Sequence, residues 1–92
     1  MKPGDRVGAI LGASGGVVEF LGYGVYEGDF IIEDKSVRYD GERKVPRIRL
    51  DSGDVVWGCE CWWGPEEEIQ DKLTEYDEIS PVDIIDKRNT KD

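Results

Sequence analysis

Histidine is absent from these 92 residues, methionine occurs once and cysteine twice. Each scarcity removes a class of function. Without an imidazole, the chain lacks the one side chain whose unperturbed titration falls near neutrality, and with it the usual general base and commonest metal ligand. The two cysteines stand as Cys59-x-Cys61. Along an extended strand they point the same way, with Cβ atoms too far apart for relaxed disulfide geometry, so reduced thiols are expected. A structural zinc would need carboxylates or a second subunit, and no metal is expected. No window approaches the roughly 18 apolar residues of a membrane span. "MKPGDRVG" has no apolar run behind its lysine. The chain is therefore expected to be soluble and cytoplasmic. "GASGG" lacks the lysine and spacing of a phosphate-binding loop, and no Ser or Cys sits in a recognisable nucleophile turn. Neither catalysis nor a cofactor is expected. One opening for acid/base work is Glu19 and Glu60, carboxylates embedded in apolar strands that would matter as a buried pair.

What the chain does have is charge, unevenly spread. The net charge of −9 argues against a surface that grips nucleic acid. Yet Asp34–Arg49 carries six basic and three acidic residues, a local +3 that leaves −12 for the remainder. Such a segment can attract a small anion while the acidic body repels polyanions. Alternatively its cations only solvate a loop and the outer face of a strand.

Six glycines lie between Gly8 and Gly24, in two apolar segments joined by Ser14–Gly16. Glycine at that density marks bulges and sharp bends where a small sheet coils on itself. Residues 33–46 are polar, with a turn at 39–42. In "RIRL", Ile48 and Leu50 share one face and Arg47 and Arg49 the other, and "DSGD" should turn the chain into a hairpin. The next strand, "VVWGCECWW", would put Val55, Trp57, Cys59, Cys61 and Trp63 on the core face. Val56, Gly58, Glu60 and Trp62 would then lie opposite. On this reading Trp57 and Trp63 are core aromatics with the cysteines as small buried residues between them, and Trp62 is partly exposed.

"GPEEE" starts a helix over about 65–75. Proline suits the first turn, three glutamates complement the positive end of the dipole, and Ile69, Leu73 and Tyr76 repeat at helical spacing. "ISPVDII" can return as an edge strand. Together these features predict a mainly β domain over 1–85, a small strongly bent barrel with one short helix after the tryptophan strand, and a frayed tail over 86–92.

"KPGDRV" before a strand, then "GGVVEFLG" and "RIRLDSGDVVWGC", resembles SH3-like barrels of the CAP-Gly and KOW kind over residues 3–22 and the hairpin. The GKNDG signature of CAP-Gly domains is absent. "GYGVYEGD", "RIRLDSG" and "VVWGCECWWGPEE" resemble, across residues 3–68, a family of small proteins from tailed phages and prophages. Phage proteins of this size often inhibit host defence, so the resemblance implies an inhibitor that sequesters a nucleotide signal or binds a defence protein.

Three functions follow as expectations. A sponge for a nucleotide-derived signal needs rings to stack a base and cations for phosphate, which Trp62, Tyr23 and Tyr26 with Arg43, Lys44, Arg47 and Arg49 can supply. A domain this small cannot enclose a drug-sized ligand, so the pocket would lie between subunits of a homo-oligomer. A module that blocks a host protein would use exposed Trp62 and Tyr26 as anchors, or present acidic residues 65–92 as a DNA mimic. The third is a structural or accessory phage protein.

Overall fold

Gly15 and Gly16 both have positive φ, 58° and 80°. That is the backbone of a type I′ turn, whose twist matches the strands it joins. Here it connects β1 (Arg6–Ser14) to β2 (Val17–Phe30). The structure, a computed structural model, describes residues 1–33, 37 and 43–89. The expected turn at 39–42 and tail residues 90–92 lie outside the described residues.

β3 (Val45–Leu50) pairs antiparallel with the far half of β2, and β4 (Val55–Trp57) pairs with β3 after the predicted turn at Asp51–Asp54. β5 (Trp62–Pro65) pairs with the other edge of β1. The short β6 (Glu78–Pro81) runs parallel to Val17–Phe20 of β2, beside the stretch that β3 leaves free. Three register slips leave Leu11, Leu21 and Glu27 without partners across the ladder. Each is a bulge, and each adjoins a glycine as the composition led one to expect: Gly12, Gly22 and Gly28. Bulges increase strand twist, so 14-residue β2 bends enough to carry two different strands along one edge.

The outermost strands of the order β4-β3-β2-β1-β5 nevertheless meet. Only residues 58–61 separate β4 from β5, and Glu60 N–H donates to the Trp57 carbonyl at 2.8 Å to close the turn. The sheet is thus curled into a barrel whose last seam is covalent rather than hydrogen-bonded. This corrects the continuous strand expected over 55–63. Alternation breaks at the turn, so Val56 faces inward while Val55 and Trp57 stand on the outer face of β4. Trp57 and Trp63 do act as packing aromatics, but in different clusters. The cysteines are not the buried spacers expected between them: Cys59 is exposed and Cys61 only partly covered.

Val7, Ala9, Leu21, Tyr26, Ile48 and Val56 make the inner core. On the opposite face of β1, Ile10 joins Val18, Ile69 and Leu73. That second cluster seats α1 (Glu66–Leu73), which follows β5 directly. Ile69 presses onto Gly8 so closely that a Cβ there would lie 2.7 Å from Ile69 Cγ2. The helix is two residues shorter at its end than expected, because Thr74, Glu75 and Tyr76 donate to carbonyls three residues back and tighten the last turn. Tyr76 still reaches the second cluster.

The largest departure is at the carboxy end. Residues after Val82 do not extend β6 but form α2 (Ile84–Asn89), with Asp83 Oδ1 accepting from Ile85 N–H at 2.8 Å. An aspartate at that place caps a helix start. Ile84 is then buried in the inner core, and residues 86–89 belong to the helix rather than to a frayed tail. Among the described residues no helix is long and apolar enough to cross a membrane.

Candidate functional site

β3 carries the arginines because its alternation sends Ile48 and Leu50 into the core and Arg47 and Arg49 outward. Both guanidinium groups turn back onto one carboxylate. Arg47 Nε donates to Glu27 Oε1 at 3.0 Å and Arg49 Nε to Glu27 Oε2 at 3.1 Å. Glu27 is one of the two bulged residues of β2, and its bulge is what places it between the two arginines. Two cations meant for a phosphate are therefore already shared with an internal anion. Arg47 also lies over the Phe30 ring, 3.7 Å from its centroid. Asp29, Phe30, Ile31, Glu33, Lys44 and Arg47 line an open groove of about 300 Å³. Arg43 and Lys44 are exposed.

The aromatic residues expected beside them are elsewhere. Tyr26 is buried, stacked on Trp63 with centroids 5.3 Å apart and planes 18° apart. Its hydroxyl donates to Asp29 Oδ1 at 2.6 Å, a bond that holds the phenol above its ordinary pKa. Tyr26 is thus a core residue and neither a stacking platform nor an anchor, because the β2 pleat points it into the barrel. Tyr23 sits half-buried on the α1 side, edge-to-face on Phe20 at 4.9 Å. Trp62 is exposed as expected, at 54%. It stands on β5, at the opposite end of the strand order from β4 and β3, with Lys72 Nζ 4.2 Å from its ring centroid. The groove that holds Arg47 and Lys44 does not include it.

Glu19 and Glu60 form no buried pair. Glu19 is exposed and borders an open groove of about 670 Å³ between β6 and α2. Glu60 instead meets Arg88 of α2, an ion pair with side chains only 13% and 8% exposed. Arg88 donates Nε to Glu60 Oε2 at 2.8 Å and Nη2 to Oε1 at 2.6 Å, and Nη2 also reaches the Val55 carbonyl at 2.9 Å. Glu60 Oε1 in turn accepts from Trp57 N–H at 3.1 Å. Reading 86–92 as a tail hid Arg88; the signal was Asp83, a cap residue ahead of "IIDKR".

Flanking Glu60, Cys61 donates its thiol to the Trp57 carbonyl at 3.5 Å. Burial, reinforced by the neighbouring Glu60 charge, pushes its pKa up to about 12. Desolvation raises the Cys59 thiol as well. Neither is an activated nucleophile, since reactive thiols have depressed values. Phe30 and Ile31 are the groove residues that sequence reasoning missed. "DFII" carries three apolar residues in a row, and alternation obliges at least one to face outward. Comparison with protein-family models, curated proteins and solved structures found no match.

Proposed function

We propose that the chain is a non-catalytic binding protein that acts by presenting its surface to another protein. The observation that carries this reading is Trp62, a large ring left 54% exposed on a barrel strand. Tryptophan is among the residues that dominate protein-binding hot spots, and one held by backbone pairing to β1 loses little freedom on contact. The resemblance to phage proteins makes a host defence protein, met in the host cytoplasm, the expected target, with inhibition by occupation as the mechanism.

The test is capture of host proteins on immobilised wild-type chain, Trp62→Ala, and the double variant Arg47→Ala with Arg49→Ala, each checked for an unchanged unfolding transition. A partner retained by the arginine variant and lost with Trp62→Ala supports the reading. A partner indifferent to Trp62 sinks it.

A second reading is favoured by the groove at Phe30. It combines a ring, a guanidinium stacked on that ring and Lys44, the elements that hold a base and a phosphate. Phe30 takes the part expected of Tyr26, and a groove of this size would need a second subunit to enclose a cyclic dinucleotide or cyclic ADP-ribose isomer. A ligand bound only by the folded state must raise the thermal midpoint. A shift with one nucleotide class, lost on Phe30→Ala, would replace protein binding by sequestration of a signal.

A further inference from the structure

Lys72 lies between two carboxylates and pairs with neither. Glu68 precedes it by four residues on α1, and Glu75 follows by three in the tightened last turn, where Glu75 N–H donates to the Lys72 carbonyl at 3.1 Å. Both spacings put the side chains on one stripe of the helix surface. Yet among the described residues Lys72 makes no ion pair, and neither do Glu67, Glu68, Asp71 or Glu75. The ammonium sits instead over the Trp62 ring, 4.2 Å from its centroid. Gly64 follows Trp62 on the same face of β5, and the Glu68 carboxylate reaches over it, with Oε2 3.7 Å from where a Cβ would stand. Trp62 is therefore an exposed ring that already holds a cation, flanked by carboxylates. Residues 66–75 carry five acidic side chains and one lysine, and of the five only Glu66 is matched, by Arg6.

We propose that the Trp62 ring, with Glu68 and Glu75, is a seat for an arginine side chain on a basic surface of the partner protein, and that Lys72 holds its place in the free chain. The proposal rests on the reading of Trp62 as the protein-binding residue. Indole offers a cation the best of the aromatic faces, and a guanidinium both stacks on a ring and forks onto carboxylates, which a compact ammonium does not. Charge selects the same occupant. The unmatched carboxylates of α1 and its last turn attract a basic surface and repel nucleic acid, anionic lipid and acidic proteins. An incoming arginine replaces one cation on the ring by another and gains the two carboxylates that Lys72 leaves unused.

The test follows the Trp62 indole N–H resonance of the full chain, assigned from the Trp62→Phe spectrum, during titration with capped tri-arginine, tri-lysine and tri-glutamate peptides. Tri-arginine should shift it saturably, tri-lysine should bind about threefold or more weakly, and tri-glutamate should leave it unmoved. Glu68→Gln combined with Glu75→Gln should weaken tri-arginine about fivefold. Lys72→Met keeps the stem on the ring but removes the competing ammonium, and should tighten tri-arginine about threefold. Lys87→Met makes the same change in net charge on α2 and should have a smaller effect. The proposal is overturned if the indole ignores tri-arginine, if tri-glutamate shifts it equally, if Lys72→Met tightens binding no more than Lys87→Met, or if the indole shifts on concentrating the chain alone, which would give the seat to a second copy. Capture of host proteins separates this outcome from that of the parent reading. A partner that needs Trp62 but is indifferent to Glu68→Gln with Glu75→Gln overturns the arginine seat alone, whereas a partner indifferent to Trp62 overturns the reading and the seat with it.

Discussion

Two clusters of arginine and glutamate face different fates in this small barrel. Glu27 between Arg47 and Arg49 lies on an open face, with 24% to 51% of each side chain in solvent. Glu60 with Arg88 lies in the seam between β4 and β5, with 13% and 8%. The chemistry is the same, yet the energetics are not. On the open face water screens the charges, and such pairs contribute at most about 1 kcal/mol. In the seam the desolvation cost is large, and it is offset because both Glu60 oxygens and the Nε and Nη2 donors of Arg88 find partners. A third contact extends the series outward: Arg6 grips Asp51 with two bonds of 2.7 and 2.8 Å and Glu66 with one of 3.1 Å, all exposed.

The comparison is broken most sharply at the seam. Arg88→Ala leaves Glu60 and the Val55 carbonyl without their partner, and should lower unfolding free energy by about 3–5 kcal/mol in urea titration. A loss below about 1 kcal/mol would mean that the seam behaves like the surface. Replacing both charges, Arg88→Met with Glu60→Leu, should recover only part of that loss. An isolated buried pair can be exchanged for apolar residues at no net cost, but here a backbone carbonyl and a backbone N–H are stranded, at about 1–3 kcal/mol each. Full recovery would show that water reaches those groups.

On the open face, Glu27→Gln should change stability by about 1 kcal/mol or less, because both arginines turn to water. The same variant raises local positive charge. If the Phe30 groove binds a phosphate, affinity should rise, and this sharpens the choice between the two functional readings. The smallest effect belongs to Asp51. Its hydrogen bonds to Arg6 hold the carboxyl below the usual carboxylate range. A depressed folded-state pKa stabilises the fold above the ordinary carboxylate pKa of about 3.9, and the contribution fades as pH falls through the folded value. Asp51→Asn should therefore lower stability slightly at neutral pH and converge with the wild type at low pH, flattening the acid side of the profile. A steeper acid loss in the variant would reverse the sign of this assignment.

Much of the scaffold was readable from local signals. Both glycine turns, the alternation that exposes Arg47 and Arg49, the helix start at Gly-Pro-Glu, and the exposure of Trp62 depend on residues close in the chain. Period-2 alternation and turn chemistry report such neighbours directly. Tyr26 was misjudged because "YGVYEGD" has aromatics on both faces, and which face becomes the interior depends on how β2 bends at its bulges. The β4–β5 break was hidden for a similar reason. "VVWGCECWW" alternates well enough for one strand, and only a curled sheet forces a turn where its two edges meet.

The sequence by itself determined the class of this protein: a glycine-bent, mainly β domain with an acidic body, a basic strand and one helix after the tryptophans. Those features rest on composition and on interactions within a few residues. Tertiary structure alone decided that Glu27 would neutralise the arginines, that Tyr26 would turn inward, and that Arg88 would travel 28 positions back to Glu60. Each joins residues whose approach is determined by strand register and sheet curvature, quantities summed over the whole chain and carried by no short stretch of it.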